Sequence, residues 1–270
     1  MYKKGFSIPF AVFIVAGTII PLCLIAFYGF TDRSGAFIFT NIMAIFEHDH
    51  IKALALALLF ALISTLVCLM LSLPLALILR NSRLSKKGFM VFIFVLPMWM
   101  NFLLRTMAWQ VLLERGGLIN ALFQLVGIPN IEIINTPYAI VLGMVYDFLP
   151  FMVLPIYNVM AKIDENLIEA AYDLGASKAK VFSSVILPLS VPGIASGITM
   201  VFVPSLTTFA ISNMLGGGKV NLIGNIIEQE FTTSSNWNLG SGLSLIMMIF
   251  IVISMALLTK LDKNGEGELI

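Results

Sequence analysis

Residues Ala53 to Leu79 read ALALALLFALISTLVCLMLSLPLALIL, with no charged side chain between Lys52 and Arg80. A helix rises about 1.5 Å per residue, and about 20 apolar residues cross the hydrocarbon core of a bilayer. This run is long enough to span, and the chain on either side repeats the pattern. Gly5 to Thr31 is free of charge, Gly88 to Leu113 is interrupted only by Arg105, and Ile133 to Ala161 only by Asp147. Val181 to Gly218 and Phe231 to Thr259 are again charge-free. The reading is an all-α membrane protein with six transmembrane helices, centred near Ile19, Leu66, Met100, Leu149, Phe202 and Phe250. Val181 to Gly218 has room for an interfacial segment besides its span. The first run follows Lys3 and Lys4, but its apolar core is longer than that of a signal peptide and no small-x-small site ends it, so it reads as a retained helix.

Composition agrees. The chain is 59% hydrophobic and 11% charged, against about 25% charged in soluble domains. So few charges cannot cover a water-facing surface, so a lipid bilayer is the expected solvent. The formal net charge of +1 projects no basic field, and no nucleic-acid partner is expected. Cys23 and Cys68 lie inside apolar runs and read as small hydrophobes. His48 and His50 share a polar loop that reads as solvated, and no metal site is expected.

Lysine and arginine placement sets the orientation. With the N-terminus in the cytoplasm, the inner segments hold Lys3, Lys4, Arg80, Arg83, Lys86, Lys87, Lys162, Lys178, Lys180, Lys260 and Lys263. The outer segments hold only Arg33, Lys52, Arg115 and Lys219. Both termini are therefore expected in the cytoplasm, with the chain multi-pass in its membrane. The outer loop Glu114 to Pro137 contains a moderately apolar stretch, Leu118 to Val126, expected as a short surface helix.

The inner loop from Lys162 to Pro192 carries the most specific signal. Asp164 is a good N-cap, Glu165 suits the positive end of the helix dipole, and Gly175 fits a left-handed C-terminal position. Ser177 can cap a second helix whose Val181, Phe182, Val185 and Ile186 form one stripe. Pro188 and Pro192 end that helix. The first helix presents Leu167, Ile168, Ala170, Ala171 and Leu174, small and apolar side chains that would let another backbone approach. On periodicity alone, docking into a partner's groove and lying on lipid headgroups are both open.

The segment Glu169-Ala-Ala-Tyr-Asp-Leu-Gly-Ala-Ser177, followed by Ile186-Leu-Pro-Leu189 and Pro192-Gly193, resembles the EAA loop of ABC-importer permeases. Less specific segments resemble the spermidine/putrescine branch of that family: Leu96-Pro-Met-Trp-Met-Asn-Phe-Leu-Leu-Arg105, Leu149 to Tyr157, and Leu215 to Asn225. The resemblance implies a type I ABC importer permease of MetI-like architecture. It implies one transmembrane domain over residues 1–270, with a cytoplasmic coupling loop over 162–192. Leu167, Ile168, Glu169, Ala170, Ala171, Leu174, Gly175 and Ala176 would couple to an ATPase. The implied partners are a second homologous permease, two cytoplasmic ATPase subunits holding ATP and Mg, and an external solute-binding protein. The permease would need no cofactor and hydrolyse nothing. The sequence agrees: Gly216-Gly-Gly-Lys219 is the nearest approach to a P-loop, but Asn213 replaces the first glycine and Val220 the Ser or Thr. It reads as a turn.

Candidate pathway residues follow from cost. Arg105 and Asp147 are ionisable within spans and expensive in hydrocarbon. At about 1.5 Å per residue their depths are similar, and two readings stay open: Asp147 attracts a cationic amine in the pathway, or the two form a structural ion pair. Trp99, next to Asn101, and Tyr146 lie at suitable depths to face a cation with a ring. Packing or interfacial anchoring is the plainer role for each aromatic. Glu228 and Glu230 read as a solvated outer face, and Gly193-Ile-Ala-Ser-Gly197 permits close helix packing.

Overall fold

The computed structural model describes residues 7–82, 92 and 94–267. These residues are helical throughout, apart from loops and one isolated bridge between Thr31 and Phe37. Helix α1 covers residues 7–29 with a π-helical turn at Val15–Ile19, and α2 is His48–Asn81. After a 3-10 turn at Leu96–Trp99 come α3, Phe102–Leu113, and α4, Leu118–Leu125. Helix α5 is Pro137–Met160 and α6 is Glu165–Asp173. Helices α7, Lys178–Leu189, and α8, Val191–Thr207, meet at 65°. The chain ends with α9, Ala210–Gly216, α10, Ile223–Thr232, and α11, Trp237–Gly267.

Helix α5 is the centre of the bundle, with 56% of its apolar window buried against 33% for α2 and α11. Helix α2 packs on it through a row of small buried residues at four-residue spacing: Ala53, Ala57, Ala61, then Cys68, Ser72 and Ala76. Residues four apart lie on one helix face, so the row lets two backbones approach without a hydrophobic driving force between helices in lipid. Helix α8 uses the predicted glycine pair. A Cβ at Gly193 would stand 2.8 Å from the Pro155 carbonyl oxygen, and one at Gly197 would stand 2.6 Å from Met152 Sδ. The outer helix α1 is largely exposed and rests on α11, where a Cβ at Gly29 would strike Leu245.

These contacts predict a stability effect. Gly193→Val pushes a branched side chain into the α5 backbone at Pro155 and Ile156, which cannot rotate away. Overpacking of this kind costs about 1–3 kcal/mol or more. Thermal denaturation of the detergent-purified protein should show a clear drop in Tm. Gly17→Val serves as the control, because a Cβ at Gly17 meets nothing within 4 Å.

The structure refines the span count. Among the described residues four helices are long and apolar enough to cross a membrane, or five if the bent α7–α8 pair is one span. The expected third span, Gly88 to Leu113, lies partly outside the described residues. Where it is described it is broken: Met100 and Asn101 are extended at ψ 146° and 128°, between the 3-10 turn and α3. Pro97 is the second residue of that turn and Asn101 caps the next helix, accepting from Leu103 N and Leu104 N. The last run also divides. Phe231 belongs to α10, and the chain turns through Ser235, at φ 48°, before α11.

The histidine loop is corrected too: both residues belong to the first turn of α2, which starts five residues before the apolar run. His50 is buried, with Nδ1 2.6 Å from the Ala44 carbonyl. A carbonyl cannot donate, so Nδ1 carries the proton.

Loops sort to two ends as the alternation of spans requires. Arg80 bonds to the Met160 and Ile163 carbonyls at the end of α5, where Lys162 follows, and Lys178 and Lys180 open α7 after α6. Lys52 and Lys219 line one opening at the other end, together with Asp49 and Pro137.

Candidate functional site

The basic end carries α6. Asp164 caps it, its carboxylate accepting from Asn166 N at 3.0 Å. Its other end closes with the two bonds of a Schellman motif: Gly175 N donates to the Tyr172 carbonyl at 2.8 Å and Ala176 N to the Ala171 carbonyl at 3.0 Å. Gly175 holds φ +81°, a left-handed conformation that a β-branched residue strongly resists. A helix this short is marginal alone, so its caps and one anchored face define it.

The face is divided. Ile168 is buried, and Ala171 and Ala176 are half-buried against the bundle. Leu167, Glu169, Ala170 and Gly175 are exposed, and Leu174 is 89% exposed. The predicted coupling set therefore separates into anchors and a free surface. Ser177 then caps α7, accepting from Lys180 N. Val181 and Ile186 are buried as the stripe predicted. A π-helical turn at Phe182–Ile186 precedes the elbow. At the elbow Pro192 lacks an N–H and its ring crowds the carbonyl four residues back. The buried Ser190 hydroxyl donates to the Ile186 carbonyl at 2.6 Å.

Arg105 and Asp147 meet. Nε lies 3.3 Å from Oδ1, and both side chains are almost completely buried, at 7% and 1% exposure. The pair lacks hydrogen-bond alignment at those two atoms. Neighbours complete it: the Thr106 hydroxyl donates to Asp147 Oδ2 at 3.1 Å, and Arg105 Nη1 donates to the Pro97 carbonyl at 3.1 Å. Arg105 thus ties α3 both to α5 and across the break to the 3-10 turn.

Trp99 ends that turn, 74% exposed, with Phe92 edge-on at 5.7 Å. Asn101 spends its carbonyl oxygen on capping. Tyr146 faces away from its neighbour Asp147 and packs on Trp109 at 5.2 Å. Both rings line an apolar groove of about 540 Å³ with Phe60, Ile63 and Tyr138. The five predicted pathway residues therefore fall in three places, not in one pocket: Trp99 and Asn101 at the break, Arg105 with Asp147 in the buried pair, and Tyr146 in the groove.

Sequence reasoning missed three polar positions. Thr106 completes the ion pair. Arg80 appeared only as one charge in the orientation count. Asn225 is fully buried and satisfied, donating to the Phe209 carbonyl and Asn213 Oδ1 and accepting from the Ser212 hydroxyl and Leu222 N. It ties α9 to α10. In the glycine turn beside it Gly217 and Gly218 are left-handed, and a Cβ at Gly217 would strike Asn135. In the loop after α1, Asp32 accepts from the Ser34 hydroxyl and from Ser34 N and Ala36 N, which holds its carboxyl below the ordinary carboxylate range.

With this geometry in place, comparison defines the class. A profile of the family described as "Binding-protein-dependent transport system inner membrane component" matches residues 68–264. The chain belongs to that family, and its fold is that of the ABC-importer permeases. Among particular relatives, the spermidine/putrescine transport system permease protein PotB of Haemophilus influenzae is 38% identical over 212 residues, covering 76% of this chain and 74% of the relative. PotB of Escherichia coli is 34% identical over 238 residues, 86% of each. The crystal structure of a bacterial ABC transporter that imports the acidic polysaccharide alginate aligns with a TM-score of 0.80 at 15% identity. It covers 97% of this chain and 94% of that one. The MetNI methionine ABC transporter in an inward-facing conformation aligns at 0.54 and 19% identity, covering 80% of this chain and 94% of that one.

Proposed function

We propose that this chain is the polyamine-translocating permease subunit of an ATP-driven importer, paired with a second related permease. Two cytoplasmic ATPase subunits dock on α6 and its partner's counterpart, and an external binding protein delivers spermidine or putrescine to the opposite end. The solute class rests on the PotB relatives. The machine class rests on family membership and one observation above the others: α6 is capped at both ends, anchored through Ile168, and leaves Leu167, Ala170 and Leu174 free on one surface. Both termini and α6 then lie on the cytoplasmic side, where the basic residues collect.

In this reading ATP-driven closure of the motor pushes α6, and the elbow between α7 and α8 passes the movement into the bundle. Trp99 offers its ring face to a cationic amine. Arg105 and Asp147 hold the broken third span, with Asn101 capping it, and Tyr146 lines the neighbouring groove with Trp109. No step of ATP hydrolysis falls to this chain.

The test uses the purified complex in liposomes. Binding protein loaded with spermidine should stimulate ATP hydrolysis and drive uptake. Stimulation by sulfate or iron instead, with spermidine inert, would reassign the solute. Uptake by this chain alone, driven by an ion gradient and indifferent to ATP, would overturn the machine class.

A further inference from the structure

Arg80 stands in the last turn of α2, half-buried, within hydrogen-bond reach of the turn that leads into α6. Among the described residues its guanidinium pairs with backbone carbonyls and with no carboxylate. Nε donates to the Met160 carbonyl at 2.9 Å, and Nη2 donates to the Ile163 carbonyl at 3.3 Å. Met160 is the last residue of α5, and its carbonyl is one of those a helix end leaves short of partners. A cation there also meets the negative end of the helix dipole. Ile163 immediately precedes Asp164, the cap of α6, and is itself buried. The fork of Arg80 therefore spans the whole turn between α5 and α6 and fastens it to α2.

We propose that Arg80 is a positioning residue for energy coupling: it locks the base of α6 to α2, so that a push on α6 moves α2 and α5 together. This rests on the reading of α6 as the coupling helix. Without the fork, α6 reaches the bundle through the packing of Ile168 and by two routes along the chain. One is covalent, through Ile163 into α5. The other runs through the α7–α8 elbow. Helix α2 packs along the length of α5 by its small-residue row, and Arg80 adds a fixed point where force enters. The guanidinium suits this task because its donors are rigid and planar, while a lysine ammonium offers a point charge on a flexible stem. Removing it also takes a charged donor from two carbonyls, of which that of Met160 keeps only the Ile163 N–H at 3.3 Å.

The experiment compares Arg80→Ala, Arg80→Lys and wild type in the complete complex, reconstituted with spermidine-loaded binding protein, by the ratio of solute imported to ATP hydrolysed. Arg80→Ala should still assemble with the ATPases and hydrolyse ATP, while solute moved per ATP falls about tenfold. Arg80→Lys should recover part of that ratio. A wild-type ratio in Arg80→Ala overturns the proposal, as does a parallel fall of ATPase and transport with the ratio unchanged. If Arg80→Ala fails to assemble, Arg80→Lys decides: a reduced ratio supports the lock and a wild-type ratio overturns it. Glu169→Lys, measured alongside, keeps the two readings apart. Normal transport by Glu169→Lys would remove the coupling helix itself, whereas loss there with a normal ratio in Arg80→Ala removes only the lock.

Discussion

Gly175→Val should cut ATP-driven uptake about tenfold while leaving membrane insertion intact. The residue closes α6 at φ +81°, and nothing lies within 4 Å of a Cβ built there. Space is therefore not the constraint; backbone conformation is. A left-handed L-residue costs about 1–2 kcal/mol, and a branched one resists most. Helix α6 would escape by losing the two closing bonds from Gly175 and Ala176, which turns Leu174 and Ala170 out of register with their partner. Since 1.4 kcal/mol is about tenfold in an equilibrium, transport should fall by about that factor. Gly175→Asn, which tolerates this conformation best among other residues, should keep most of it. Glu169→Lys should reach a similar loss by another route, because Glu169 is exposed and its reversal changes the docking surface without disturbing the fold. Co-purification of the ATPase with each variant reads the difference, and wild-type association by both Gly175→Val and Glu169→Lys would contradict the role given to α6.

The largest effect on stability is expected at Arg105 and Asp147. Breaking a buried pair by removing one partner typically costs about 3–5 kcal/mol, because the other charge stays buried alone. Arg105→Met leaves Asp147 with only the Thr106 hydroxyl, and Asp147→Leu leaves Arg105 with only the Pro97 carbonyl. Each single variant should show a large fall in Tm in detergent. The double variant Arg105→Met with Asp147→Leu carries no buried charge and should recover most of the loss. Equal destabilisation in the double and single variants would mean that the pair is not an interacting unit. A single variant as stable as wild type would mean that water or lipid headgroups already satisfy these groups.

Local features were legible in the sequence, and tertiary ones were not. Asp164, Gly175 and Ser177 act through neighbours within a few residues, so their caps follow from spacing alone. The glycines at 193 and 197 were legible as a packing pattern, though not the helix they meet. The broken third span was hidden because a charge-free run looks the same whether or not its helix is continuous; Pro97 and Asn101 were the available signals. Polar character likewise concealed the start of α2, since His48 and His50 look like loop residues until Ala44 offers a carbonyl. Whether Asp147 pairs with Arg105 depended on which faces of α3 and α5 meet, which no single helix records. Arg80 and Asn225 were out of reach for a related reason: both partners of Arg80 and two of those of Asn225 are backbone groups, which leave no mark on the sequence.

The central claim is that α6 is the surface on which a separate motor acts. A photoreactive side chain at Leu174, the most exposed apolar position of that segment, tests it directly in membranes holding the assembled complex. The account predicts a crosslink to the ATPase subunit. A crosslink confined to lipid, or one to the external binding protein, would contradict it.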